Sequence, residues 1–304
     1  MNKYSVNTYL KSPETTYTIS IDYILALLPI IFWSIIRFKL TTAVIVSSCV
    51  FADIITDVVF KFLSKKKLTP PSLKNIYGAL IFSLTLYPET SPVVAIVGAI
   101  ILSILFNILN SEGNSYIFVP LVARVITFAL MPKEFNAPEQ TPYFSILNGM
   151  IPNESPVELF LGSADVTLGS LSIVAILLGG LYLIFRKSSD FRASSAYLLL
   201  SLFLSLAFPI IKARGVESTL YELLSSEMLF ITFFVLTDMQ STPKKKGLRY
   251  LKGALCALLT FTIKKINYTI DGFYIGIIVV DLLFSIICMI SDKIEFEKEC
   301  KNEQ

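Results

Sequence analysis

The sequence predicts an all-α integral membrane protein with about ten transmembrane helices. Of its 304 residues, 54% are hydrophobic and only 16% are charged, and the mean hydropathy is +0.68. A soluble domain carries roughly 25% charged residues. The apolar residues also lie in blocks of about 20, the length that a helix needs to cross the hydrocarbon core of a bilayer. We therefore expect the chain to be surrounded by membrane lipid.

Composition excludes several kinds of site. Histidine is absent, which excludes histidine-ligated haem and the usual zinc and iron centres, so no metal site is predicted. The four cysteines form no CxxC pair, which argues against an iron–sulfur cluster and a disulfide framework. The net charge of +3 is small and scattered along the chain, so nucleic acid is not an expected partner.

Apolar segments of two lengths occur along the chain. The longer ones cover 21–37, 40–62, 93–109, 168–185, 194–211, 219–237, 248–263 and 272–291. Two others, 76–87 and 116–131, are short, and the first would extend only about 18 Å as a helix. Pro88, Pro92 and Pro120 interrupt this region, as expected for short or broken helices whose ends are buried in protein or line a cavity. A re-entrant loop over 76–87 is the alternative.

The distribution of basic residues predicts the topology. If both short segments cross, the two termini lie on one side together with most lysines and arginines, which makes that side cytoplasmic. The chain then divides into a cytoplasmic leader, a first membrane half, an extracytoplasmic loop, a second membrane half and a cytoplasmic tail, at 1–20, 21–131, 132–167, 168–292 and 293–304. Five helices on each side of the loop, with opposite orientation, predict an inverted repeat, although the halves show no convincing sequence identity.

Ionisable residues inside the predicted spans are candidates for an ion path. Asp53 and Asp57 lie four residues apart on one face of the second helix. For Asp57 the alternative is an i,i+4 pair with Lys61 near the membrane edge. Glu227 and Asp281 lack an i+4 partner in their own helices. We expect them either to carry protons or Na⁺, or to form a hydrogen bond to a neighbouring helix.

Six segments, in order, carry a resemblance to a known family. They are SPETTYTISIDYILALLPIIFWSI (12–35), SLTLYPETSP (83–92), NSYIFVPLVARVI (114–126), LGSLSIVAILLGGLYLIFRK (168–187), FFVLTDMQSTPKKKGLRYLKG (233–253) and YTIDGFYIGIIVVDLLFSIICMISD (268–292). Together they cover nearly the whole chain. The sequence resembles the D subunit of the Rnf complexes and the homologous B subunit of the Na⁺-translocating NADH:quinone reductase.

The resemblance implies a flavin cofactor. In the family, a threonine of the long extracytoplasmic loop carries FMN through a phosphoester bond, and riboflavin is a second flavin to consider. The matching position is Thr141, which is followed by Pro142. Glu139 and Gln140 stand where the family has Gly and Ala, and such side chains would crowd or repel a phosphate. An ordinary Thr-Pro loop step is the alternative.

Two further residues are cofactor candidates by the same resemblance. Arg124 would meet either a flavin phosphate or an intramembrane carboxylate, and Asp238 belongs to the family's Thr-Asp pair, where it would cap a turn. The sequence also departs from the family: Ala123 replaces a glycine, Ser225 lies where the eighth helix has glycines, and Asp281 replaces an asparagine. The Gly179–Gly180 pair predicts close helix packing.

The resemblance implies a membrane subunit of an Rnf-like complex in the plasma membrane. Electrons would pass through bound flavin while Na⁺ or H⁺ crosses the bilayer, and the other complex subunits would be the partners. A flavin-free scaffold subunit and a channel or transporter on the same fold are the alternatives. No Walker loop and no GxGxxG motif occurs, so nucleotide binding would belong to partner subunits.

Overall fold

The computed structural model describes residues 13–65, 70, 72–109, 117–135, 142, 145, 150, 152, 155–162, 166–209, 215–225, 227–238, 241–243, 245–266 and 271–302. Within those ranges the regular structure is helical and contains no β-strand. The helices are α1 (Pro13–Phe38), α2 (Leu40–Leu63), α3 (Leu73–Leu84), α4 (Pro92–Leu109), α5 (Val119–Leu130), α6 (Pro156–Leu161), α7 (Ile173–Phe185), α8 (Phe191–Ala207), α9 (Gly215–Ser225), α10 (Met228–Phe230), α11 (Lys246–Ile266) and α12 (Asp271–Asn302). The predicted all-α class is confirmed.

In the part of the chain that the structure describes, three helices are long and apolar enough to cross a membrane: α1 from Tyr17 onward, α2 and α4. A fourth span results if α9 and α10 count as one bent helix. The predicted short helices are also present, since α3 and α5 have 12 residues each and extend about 18 Å. Helices α1 and α12 reach into the predicted leader and tail, and the 32 residues of α12 extend about 48 Å.

The segment 219–237 is not the single helix that the apolar pattern predicts. Helix α9 ends at Ser225, the helix resumes at Met228, and the axis of Met228–Val235 differs by 63° from that of Val216–Leu224. Serine hydroxyls compete with the helix for backbone hydrogen bonds, and a glutamate, Glu227, follows them directly. Beyond α10 the helix widens into a π-turn at Ile231–Val235.

The first helices of the two halves, α1 and α7, pack against each other and run antiparallel. Near the start of α1, Asp22 accepts hydrogen bonds from Tyr182 and Arg186 at the end of α7. Near the end of α1, Ser34 Oγ donates to the Leu168 carbonyl just before α7. The last helices, α5 and α12, are antiparallel in the same way.

Within each half the second and fourth helices pack in parallel. In the first half, Cys49 Sγ contacts the Ala95 carbonyl, and further along α2 and α4 Asn107 donates to Asp57. In the second half, α8 and α11 form the corresponding pair. The second and fourth helices are thus parallel within each half, and the corresponding helices of the two halves are antiparallel where they meet. An inverted repeat requires this arrangement.

Glycine allows the closest helix contacts, as predicted for Gly179–Gly180. A methyl group at Gly179 would collide with the backbone carbonyl oxygen of Ala26 in α1, and one at Gly180 would collide with the Phe233 ring. Without side chains at these positions, α1 and the π-turn approach α7 closely enough for backbone contact.

Candidate functional site

Two breaks in the membrane helices have similar sequences. The first lies between α3 and α4 and reads Leu-Thr-Leu-Tyr-Pro-Glu-Thr-Ser-Pro at 84–92. The second lies between the π-turn and α11 and reads Leu-Thr-Asp-Met-Gln-Ser-Thr-Pro at 236–243. Both start with Leu-Thr and end with two hydroxyl residues and a proline. This shared pattern is an internal similarity between the halves that was not predicted from the sequence.

Hydrogen bonds hold the first break in place. Thr90 Oγ1 accepts from the Tyr87 amide at 3.1 Å and donates to the Phe135 carbonyl at 2.9 Å. The Gly169 amide donates to the Leu84 carbonyl at 2.7 Å. The break is therefore tied to both ends of the loop that connects the two halves.

Arg124 lies inside the protein beside this first break. Its side chain is 1% exposed, and its Nε donates to the Thr85 carbonyl at 3.3 Å. Its guanidinium carbon lies 4.1 Å from the ring centre of Phe135, 5.4 Å from that of Tyr274 and 5.7 Å from that of Phe128. Cation–π contacts of this kind stabilise a buried guanidinium. The structure therefore places Arg124 among aromatic rings, and its contact with a flavin phosphate stays a prediction.

Asp238 orders the second break. Its Oδ2 accepts from the Ser241 amide at 3.1 Å, which confirms the predicted role as a turn cap. The preceding residue, Thr237, shares a hydrogen bond of 3.0 Å with the Tyr23 hydroxyl, and the Tyr23 ring stacks on Tyr77 with centroids 5.3 Å apart. The second break is therefore anchored to helices α1 and α3 of the first half.

Lys252 lies beside the second break, as Arg124 lies beside the first. Its Nζ donates to the Ser241 carbonyl at 2.5 Å and lies 2.7 Å from Oδ1 of Asp281. The other carboxylate oxygen of Asp281 accepts from the Phe118 amide at 3.1 Å. Lys252 was not among the predicted site residues, although a lysine inside the predicted span 248–263 is an unusual residue that needs a partner.

In each half, a buried cation thus contacts a backbone carbonyl at a helix break. Carbonyls freed at the end of a helix carry partial negative charge, which favours a nearby cation. Lys252 and Asp281 neutralise each other at the second break. Asp281 therefore forms a bond to a neighbouring helix, which is the second of the two roles expected from the sequence.

The remaining predicted residues lie apart from these breaks or outside the described residues. Asp53 and Asp57 lie in the contact between α2 and α4, and Asp57 forms the predicted pair with Lys61 at 2.6 Å. Glu227 is buried at the bend between α9 and α10. Thr141, the predicted FMN acceptor, lies outside the described residues. Of the described candidates, Asp53 and Asp57 share the contact between α2 and α4, and Asp238 and Asp281 meet at the second break together with Lys252.

Known proteins match almost the whole chain. The model of the NQR2, RnfD, RnfE family matches residues 3–297. The chain belongs to this family. The D subunit of the Na⁺-translocating ferredoxin:NAD⁺ oxidoreductase complex of Acetobacterium woodii is 23% identical over 274 residues, which cover 86% of this chain and 84% of that protein. The D subunit of an ion-translocating oxidoreductase complex of Methanosarcina acetivorans is 26% identical over 239 residues, covering 78% and 76%.

In this member of the NQR2, RnfD, RnfE family, the Asp281 carboxylate meets Lys252 at the second break. A lone buried charge is far more costly than a paired one, so each of the two side chains depends on the other.

Proposed function

We propose that this chain is the D-type membrane subunit of an Rnf-like, ion-translocating oxidoreductase complex. The observation that carries the proposal is the family match over residues 3–297, together with two relatives, both named as D subunits, that align over most of the chain. The two ordered helix breaks give this family assignment a structural counterpart, because helix breaks inside a membrane protein are typical of ion-handling sites.

In the proposed complex, different subunits carry out membrane and nucleotide-binding functions. This chain contributes the membrane scaffold next to the electron path, and nucleotide binding belongs to other members of the complex. The two relatives bear names of multi-subunit complexes, which supports the presence of such partners. The chain would lie in the plasma membrane as a multi-pass protein, with both termini on the cytoplasmic side as the positive-inside rule predicts.

Flavin is the proposed cofactor, with FMN attached to Thr141 and riboflavin as the noncovalent alternative. A flavin would supply the ability to accept and pass on single electrons. Support comes from the position of Thr141 in the long loop between the halves, where the resemblance gives the acceptor threonine. Arg124 is the residue that the resemblance assigns to the flavin phosphate, and its guanidinium lies against the rings of Phe135 and Tyr274.

A flavin-free scaffold subunit is the second candidate. Arg124 among its rings and the Lys252–Asp281 pair fill the contact between α5 and α12 with the protein's own side chains. That packing favours a structural role for the contact. The two candidates differ in whether the purified chain carries flavin.

A deletion and complementation experiment tests the proposed function. Membrane vesicles from cells that lack this chain should lose ferredoxin-dependent NAD⁺ reduction and the linked uptake of Na⁺ or H⁺, and the wild-type gene should restore both. Affinity purification of the restored chain should recover the other subunits of the complex. Unchanged activity in the deletion strain would reject membership of the complex. Restored activity with a chain that carries no flavin would select the scaffold role.

A further inference from the structure

We propose that Asp53 is a proton-binding site inside the membrane, reached from the cytoplasmic end of α2 through Asp57 and Lys61. The role of this site in ion movement rests on the proposed function, whereas the site itself rests on the geometry of α2 and α4.

Asp53 is completely enclosed. Its exposed fraction is 0%, and neither carboxylate oxygen has a hydrogen-bond partner among the described residues. The neighbouring hydroxyl, Ser103 Oγ, donates to the Asp53 backbone carbonyl at 3.2 Å. An ionised carboxylate in such surroundings is far more costly than the neutral acid, so the carboxyl binds a proton instead of staying charged.

The surroundings of Asp53 suit a proton better than a metal ion. A metal cation needs several oxygen ligands around it. Helices α2 and α4 are unbroken along this contact, so their backbone carbonyls are used within the helices. Among the described residues, no group of three or more His, Cys, Asp or Glu side chains is placed to hold a metal ion. A proton needs only the carboxylate itself.

A row of titratable side chains connects Asp53 with the end of α2. Asp57 and Lys61 follow at successive turns on the same face, and their side chains are 2% and 14% exposed. Lys61 Nζ lies 2.6 Å from Asp57 Oδ2, and Asn107 donates to Asp57 Oδ1 at 3.1 Å. Exposure therefore rises stepwise from Asp53 toward the end of the helix that the predicted topology places in the cytoplasm.

Other charged groups around Asp53 are few. Helix α4 contains no charged residue, and Cys49 is the titratable neighbour one turn earlier in α2. Helix α3 contributes Lys74, whose ammonium lies 5.5 Å from the centre of the Phe106 ring. In α1, Asp22 is held by the end of α7, and Arg37 is exposed near the opposite end of the helix. Asp57 and Lys61 are thus the charged groups that act on Asp53.

The proposed step is a simple protonation. One proton adds to one carboxylate oxygen of Asp53 and gives a neutral carboxylic acid, and the reverse step returns the proton through Asp57 to the cytoplasmic side. The same row does not continue toward the other end of α2, where Ile45 and Thr42 follow Cys49. The row therefore forms a one-sided access path to a binding site and not a complete channel.

Infrared spectroscopy of the full-length chain in lipid membranes tests the proposal directly. At neutral pH, the wild-type protein should show a carboxylic-acid C=O stretch that shifts in deuterated water and is absent from Asp53→Asn. The Glu158→Gln variant is the control, and it should keep the band because Glu158 lies in the short helix α6, away from α2, and its hydrogen bond from the Ser155 amide lowers the pKa of that carboxyl. If Asp53→Asn does not fold, Asp53→Glu should move the band instead.

Either of two results in this experiment would reject the proposal. A spectrum of Asp53→Asn identical to wild type would show that Asp53 holds no proton at neutral pH. Loss of the wild-type band on addition of Na⁺ at constant pH would show that a metal cation is the true ligand. The readout needs no electron transfer, so a negative result here leaves membership of the redox complex untouched, and loss of complex activity leaves the band unaffected.

Discussion

The ammonium of Lys252 lies 2.7 Å from the carboxylate of Asp281, and both side chains are 1% exposed. Lys252 also donates to the Ser241 carbonyl, and Asp281 accepts from the Phe118 amide. The pair therefore joins α11 and α12 to the second break and to the start of α5. It connects the two halves of the molecule.

Removal of one partner of this pair should destabilise the protein strongly. We expect Lys252→Met to lower the free energy of unfolding by about 3 to 5 kcal/mol, because it leaves the Asp281 charge buried alone. The double variant Lys252→Met/Asp281→Asn should recover most of the loss, since the neutral amide can still accept from Phe118. A denaturant titration in lipid–detergent mixtures measures all three proteins. Equal stability of the single and double variants would contradict this view of the pair.

Glycine at position 179 should be essential for the packing of α7 against α1. A methyl group there would collide with the Ala26 carbonyl oxygen, so we expect Gly179→Ala to cost about 1 to 3 kcal/mol. Gly247 is the matched control because nothing lies within 4 Å of a methyl group added to it. Gly247→Ala should leave stability unchanged or raise it by up to about 1 kcal/mol. Thermal unfolding of both variants measures the difference.

Arginine at position 124 should not be replaceable by lysine. The planar guanidinium stacks against several rings and donates to the Thr85 carbonyl, and an ammonium cannot reproduce this geometry. We expect Arg124→Lys to lower stability by about 1 to 2 kcal/mol. The control is Arg37→Lys, because Arg37 is exposed and its guanidinium carbon lies 6.0 Å from the centre of the Phe38 ring. Similar melting temperatures for the two variants would contradict the enclosed role of Arg124.

The short helix α6 should depend on pH through Glu158. The carboxylate accepts from the Ser155 amide, and this hydrogen bond lowers the pKa of Glu158 below its ordinary value. Its contribution is present above the ordinary pKa and is lost as the pH falls through the lowered pKa of the folded state. Amide exchange at Gly162, which donates to the Glu158 carbonyl, should accelerate in acid relative to Glu158→Gln at the same pH. Parallel exchange rates in both proteins would contradict this effect.

Covalent flavin attachment should depend on one hydroxyl group. If Thr141 carries FMN, the chain purified from cells that contain a flavin transferase should fluoresce in a denaturing gel, and Thr141→Ala should not. Ser145→Ala, a second hydroxyl residue of the same loop, should keep the fluorescence. A dark wild-type band would exclude covalent FMN, and mass spectrometry of the native complex would then detect noncovalent riboflavin. Fluorescence that persists in Thr141→Ala would place the attachment elsewhere.

The break between α3 and α4 and the bend at Glu227 differ in how well the sequence predicted them. Prolines and a short apolar run predicted the first break between α3 and α4, because proline stops a helix through local geometry. The bend at Glu227 was missed, since the apolar residues on both sides fit one continuous span by hydropathy alone. The Asp57–Lys61 pair was predictable because i,i+4 spacing fixes both residues on one helix face.

The sequence by itself determined the membrane class, the family, the short helices and the close packing at Gly179, because each depends on composition or on neighbours within a few residues. Only the tertiary structure decided the partners of the buried charges. Asp281 meets Lys252 and Phe118, and Arg124 lies among Phe135 and Tyr274. These contacts join parts of the chain that are distant in sequence. In the low dielectric of the membrane interior, each of these electrostatic contacts is stronger than it would be in water and contributes to the stability of the fold.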